Sequence, residues 1–128
     1  MTRDQERAQH AYSRVRELRD KLRPQEQKKY KAAVEKLGAD ILKSGLVAAL
    51  AFQERNRKDK SCQRLFADLA EAKIPGLDVD SAADPVAAIP AKVRELAAAD
   101  YMLATREALK VAHWLKRVAQ ALLEQERP

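Results

Sequence analysis

A chain of 128 residues and 14.4 kDa is long enough for one domain and too short for two ordinary ones. Apolar residues at 46% and charged residues at 34% exclude a disordered chain, and only 3 Gly and 5 Pro leave too little turn chemistry for a many-stranded β fold. A net charge of +6, from 25 Lys and Arg against 19 Asp and Glu, is compatible with a nucleic-acid partner and equally with a well-solvated helical surface.

Thr2 and Gln5 have the spacing of a capping box. Behind them Ala8, Ala11, Tyr12, Val15, Leu18 and Leu22 recur at three- and four-residue steps, which places them on one face of a first helix. Pro24 closes that element and opens a second, whose stripe is Tyr30, Ala33, Val34, Leu37, Ile41 and Leu42. Gly38 weakens this helix by about 1 kcal/mol relative to Ala without breaking it. Gly45, shortly after Lys43, reads as the C-terminal cap. Leu46 to Phe52, LVAALAF, is apolar on nearly every side, which predicts a short helix buried at the centre. The charged run ERNRKDKS over 54–61 reads as a loop, with Ser61 capping a fourth helix that carries Cys62, Leu65, Phe66 and Leu69.

From 74 to 90 the composition shifts to IPGLDVDSAADPVAAIP, with three prolines, and predicts a long surface connection holding one short helical turn at most. A fifth helix is expected over 91–103. Thr105 then caps a last one, whose inward stripe is Ala108, Val111, Ala112, Leu115, Ala119 and Leu122. The reading is an all-α chain, one helical domain over 1–128 folded as a single compact bundle of five to six helices.

Catalytic chemistry is hard to place. His10 and His113 lie far apart, and neither has a second ligand at helical spacing, so no metal site is expected. Cys62 sits on an apolar stripe, where a free thiol behaves as a small hydrophobe. Three scattered glycines build no phosphate loop. Asp78, Asp80 and Asp84 lack the glycine and terminal Glu of a calcium loop, and read as a solvated acidic connection. No cofactor and no small-molecule substrate are expected. One Cys excludes an intrachain disulfide framework, no apolar run approaches the ~20 residues of a membrane helix, and the opening MTRDQERAQH is too polar for a signal peptide. A cytoplasmic protein without a membrane partner is expected.

Two cationic rails remain. On the first helix Arg3, Arg7, His10, Arg14 and Lys21 fall at offsets 0, 4, 7, 11 and 18, within about 60° of arc and apart from the apolar stripe. On the last helix Arg106, Lys110, His113 and Arg117 repeat the offsets 0, 4, 7 and 11. Such rails suit phosphates, which position a polymer without reading its sequence. Any amphipathic helix must also put something polar outside, and Lys and Arg are good helix formers. Aromatic interleaving for base stacking is lacking, since Tyr12 and Trp114 look placed for packing. The charge is uneven: residues 1–66 carry 17 basic and 9 acidic side chains, residues 67–128 carry 8 and 10. That asymmetry suits head-to-tail association.

Three segments in order resemble one family: Gln5, Ala8, Ala11 and Tyr12 on the first helix; Gly45, Leu46 and Ala49 to Phe52; and Thr105, Glu107 to Leu109 and Trp114 to Arg117. Together they are similar to the small, fifth subunit of the Cmr complex, the type III-B CRISPR RNA-silencing effector. The last segment, T-x-E-A-L-x-x-x-x-W-L-K-R, is the most specific. The chain departs from the family pattern at Gly38, at Val118 and at Met102-Leu103, the last removing a basic contact. The resemblance implies a non-catalytic scaffold that partners other Cmr subunits and copies of itself and lies along target RNA or its duplex with the guide. Lys116 and Arg117 of the motif join Arg7, Arg14, Lys21, Arg106 and Lys110 as expected nucleic-acid contacts. Two other readings stand beside it. A small DNA-binding regulator would need base-reading side chains after the Gly45 junction, where LVAALAF offers none. A helical adaptor that binds only proteins would use its charge for solubility.

Overall fold

A computed structural model describes residues 1–123, which form six helices and, among those residues, no strand. The first is α1 (Arg3–Lys21). Its capping box forms as expected: the Thr2 hydroxyl accepts from the Gln5 backbone N–H at 3.1 Å, and the Thr2 N–H donates to Gln5 Oε1 at 2.7 Å. Pro24 is the first residue of α2 (Pro24–Ser44), and the preceding Arg23 N–H donates to Glu26 Oε1 at 2.9 Å. Gly45 alone joins α2 to α3 (Leu46–Glu54), in a φ of +87° and ψ of 168° that side-chain-bearing residues avoid.

Three expectations change. Ser61 does not cap the fourth helix; α4 (Lys60–Glu71) starts after Asp59 and Ser61 is buried inside its first turn. The surface connection over 74–90 shrinks, because α5 (Pro85–Glu95) starts inside it. Pro85 stands in the first turn, where its missing N–H costs nothing, and Asp84 Oδ1 caps the Val86 N–H at 3.1 Å. Pro90 falls within the helix, where burial of Val86, Ile89, Pro90 and Val93 against α3 and α4 outweighs one lost hydrogen bond. What is left of the connection is anchored in the core by Ile74 and Leu77. Finally, α6 (Ala98–Leu122) begins well before Thr105, whose hydroxyl donates to the Tyr101 carbonyl at 2.7 Å inside the helix and caps nothing.

The stripes meet in one core. Helix α6 lies against both α1 and α2, with Ala104, Ala108, Ala112 and Ala119 among its buried positions, so neighbouring backbones come close. Helices α3 and α4 pack on α2, and α5 packs on α3 and α4. Tyr30 and Phe66 are the largest wholly buried side chains, each contributing roughly 1.5–3 kcal/mol by leaving water. Three expectations on burial differ. Leu42 and Tyr12, assigned to apolar stripes, are exposed, and α3 is not buried all round: Val47 and Phe52 are 41% and 40% exposed.

Candidate nucleic-acid interface

The first-helix rail is folded inward. Arg7 grips Glu107 of α6 with two parallel bonds, Nε and Nη2 each 2.7 Å from a carboxylate oxygen, and keeps only 9% of its side chain exposed. Arg3 Nη2 reaches the same carboxylate at 3.1 Å. The Arg7 hydrogen bonds hold Glu107 below the usual carboxylate range despite its burial.

Two turns further on, Arg14 Nε donates to the fully buried Asp68 of α4 at 2.6 Å. Arg64 Nε lies 3.0 Å from the same oxygen, and the Tyr30 hydroxyl donates to the other one. Burial pushes the Asp68 carboxyl up, and the Arg64 guanidinium, the Tyr30 hydroxyl and Arg14 oppose that rise. The Arg64 fork also holds the Arg14 carbonyl at 2.8 Å and Glu17 at 2.9 Å. Glu17 is drawn down to about 2, first by Arg64 and then by Lys21, whose Nζ is 3.1 Å away. His10 is half-buried with no hydrogen-bond partner for Nε2, and burial pushes its imidazole below the ordinary value. Of the α1 cations expected to meet RNA, Arg7 and Arg14 therefore join helices together, while Lys21 stays exposed in a pair with Glu17.

The α6 rail faces out. Arg106, Lys110, Lys116 and Arg117 are exposed, and none has a carboxylate within 4.0 Å among the described residues. Arg106, Lys110 and Arg117 share about 40° of arc at 100° per residue. Trp114 sets the stance of this ridge: its indole N–H donates to Asp4 Oδ1 at 2.9 Å, and the Arg117 guanidinium stands 5.4 Å over its ring. That indole bond, opposed by some desolvation, lowers the Asp4 carboxyl. A shallow depression of about 290 Å³ runs between His113, Lys116, Arg117 and Gln120. His113 itself lies over Gly38 of α2, where an added Cβ would meet the ring at 3.6 Å, an ordinary contact. An open row of cations on a rigid helix can hold a phosphate backbone and carries no base-reading geometry.

Other chemistry has little to build on. Among the described residues no three His, Cys, Asp or Glu side chains gather as metal ligands, and no helix is long and apolar enough to cross a membrane. Cys62 is buried, donates to the Gln53 carbonyl at 3.3 Å, and has its thiol pushed up to about 11 by desolvation. Asp80 accepts from the Ala82 N–H and Asp84 caps α5.

Sequence reasoning missed Asp68 and Arg64 as partners and gave Glu107 no role. A signal existed. Glu107 neighbours the buried Ala104, Ala108 and Val111, and Asp68 stands among Leu65, Phe66 and Leu69. An acid on an apolar face calls for a buried cation.

Fold and site together define a small all-helical protein with an open cationic ridge on its last helix. The family of CRISPR-associated protein (Cas_Cmr5) matches residues 3–122. A relative from Thermus thermophilus, "CRISPR system Cmr subunit Cmr5", is 34% identical over 124 residues, 97% of this chain and 98% of its own. The crystal structure of a CRISPR-associated Cmr5 family protein from the same organism superposes with a TM-score of 0.76 at 32% identity, over 97% of this chain and all of that one. The chain belongs to the Cmr5 family, the small subunits of type III-B CRISPR systems, as its three segments suggested.

Proposed function

We propose that this chain is a non-catalytic structural subunit of a Cmr ribonucleoprotein complex. It stacks in a filament with copies of itself and holds target RNA, or its duplex with the guide, without reading sequence. The observation that carries the RNA contact is the contrast between the rails: equal spacing, yet α1 gives its guanidiniums to Glu107 and Asp68 while α6 keeps Arg106, Lys110 and Arg117 open, with Lys116 exposed off the rail. The RNA face narrows to those four. Stacking finds support in the depression at α5 where Asp78, Asp80 and Glu95 outnumber Lys92, a net acidic patch that complements the basic first half of a second copy. The regulator reading loses ground, because the exposed face of α3 presents Val47, Ala51 and Phe52 and no donor to a base edge.

Salt titration of the isolated protein on random single-stranded RNA tests the ridge. The logarithm of affinity should fall linearly with the logarithm of salt, by about 0.7 per phosphate held. Reversing the four α6 cations to Glu should flatten that slope. Reversing Lys43, Lys73, Lys92 and Arg94, an equal charge change on other exposed positions, should leave more of it. Equal losses in the two variants would mean that net charge, not the ridge, attracts RNA.

A further inference from the structure

The side of α2 turned away from α6 carries a second feature. Lys29, Ala33 and Lys36 lie within about 60° of arc, roughly opposite Gly38, the residue that faces His113. With the end of α3 and the loop after it they wall a cleft of about 390 Å³, which opens into a neighbour of about 540 Å³ with Lys29, Asp59 and Ser61 common to both. Five cations line the pair, Arg23, Lys29, Lys36, Lys58 and Lys60, against two carboxylates, Glu26 and Asp59. The surplus of three is half the net charge of the whole chain, +6. Lys58 and Lys60 have no ion pair among the described residues, and the Lys29–Asp59 pair is stretched to 4.0 Å.

The cleft also holds an aromatic ring that the core does not use. Phe66 is wholly buried, whereas Phe52 is 40% exposed and edges the first cleft, with Lys36 Nζ 5.9 Å from its centroid. The floor behind it is fixed: Gln53 is buried, donates to the Ala33 carbonyl at 3.0 Å, and accepts the Cys62 thiol on its own carbonyl. An exposed ring on a rigid floor, with Lys36 held by Asp40 at 3.5 Å on one side and the unpaired Lys58 and Lys60 in the adjoining cleft, suits a ligand that is flat at one end and anionic at the other.

We infer that this cleft binds one unpaired nucleobase stacked on Phe52, its phosphate drawn by Lys29, Lys58 and Lys60. The volume is at the small end of ligand pockets, enough for a nucleoside and too little for a helix of duplex. The base comes from a single strand or from a free nucleotide, which share this chemistry. An acidic peptide would satisfy the lysines and leave the ring without a partner. The site stands apart from the α6 ridge, on the other side of α2, so each can fail alone.

The test uses the full chain with a labelled hexa-uridylate strand, the same strand annealed to its complement, and poly-glutamate. Phe52→Leu should weaken the single strand about tenfold at unchanged salt slope, and leave the duplex within twofold, because a paired base cannot reach the ring. Lys58→Glu with Lys60→Glu should weaken the strand and lower its slope. The four-fold α6 reversal should keep the Phe52 effect, which separates this site from the ridge. Displacement of the strand by uridine monophosphate assigns the site to free nucleotides as well; binding without displacement assigns it to strands. A thermal melt of Phe52→Leu within a few degrees of the parent shows that the fold is intact. No strand binding, an unchanged strand affinity in Phe52→Leu, an equal loss for strand and duplex, or tighter binding of poly-glutamate would each overturn the inference.

Discussion

Asp68 takes two guanidiniums and a phenol on one buried carboxylate, and this single residue joins α1, α2 and α4. Each donor arrives from a different helix or turn: Arg14, Arg64 and Tyr30. Removing the charge while keeping the shape takes from Arg14 its carboxylate and leaves Arg64 with Glu17 alone, in a partly desolvated site. Asp68→Asn should therefore lower unfolding stability by about 3–5 kcal/mol, whereas Tyr30→Phe, which removes one bond, should cost about 1 kcal/mol. Urea denaturation of the two variants and the parent checks this; an Asp68→Asn cost no larger than that of Tyr30→Phe would show that the arginines do not depend on Asp68. None of this was legible from spacing. The two rails have identical offsets over four positions, and only the packing of α4 and α6 against α1 decides which guanidiniums find carboxylates.

Helix ends were legible where a local cap exists and obscure where burial decides. Thr2 with Gln5, Pro24 and Gly45 mark their boundaries through their own backbone chemistry, and all three stand as read. The start of α6 at Ala98 has no side-chain cap, so Thr105 drew the boundary to itself. The prolines of 74–90 signalled a break, while the apolar residues between them, Val86 and Ile89, were filling the core of a helix. The exposure of Phe52 escaped notice because LVAALAF has no polar face to reveal which side is out. Gly45 gives the element-scale prediction. Its backbone lies where a Cβ is strained, and that Cβ would sit 3.2 Å from the Tyr101 hydroxyl, which itself takes the Val47 N–H at 3.1 Å. Gly45→Ala should destabilise the fold by about 1–3 kcal/mol, read from its thermal or urea midpoint. A neutral result would mean that α2 and α3 are not held at this angle by the joint.

At the scale of the whole molecule, the α-helical class and the basic character were plain in composition, and the family in three segments. The position of the proposed RNA face was not, because a cation counts equally in a sequence whether it ends in a buried pair or in water. Folding sorts them. The molecule turns part of its positive charge inward to pair Glu107 and Asp68, and leaves a straight ridge on α6 with Trp114 bracing Arg117. In the proposed role, a rigid block of this kind adds affinity for a phosphate backbone and leaves sequence choice to base pairing with a guide.

Target-RNA capture by a reconstituted Cmr complex tests this most directly. The subunit carrying Arg106→Glu, Lys110→Glu, Lys116→Glu and Arg117→Glu should still assemble, and the complex should hold matched target RNA at least about tenfold more weakly at moderate salt. Full-strength capture by an assembled complex containing that subunit would contradict the account.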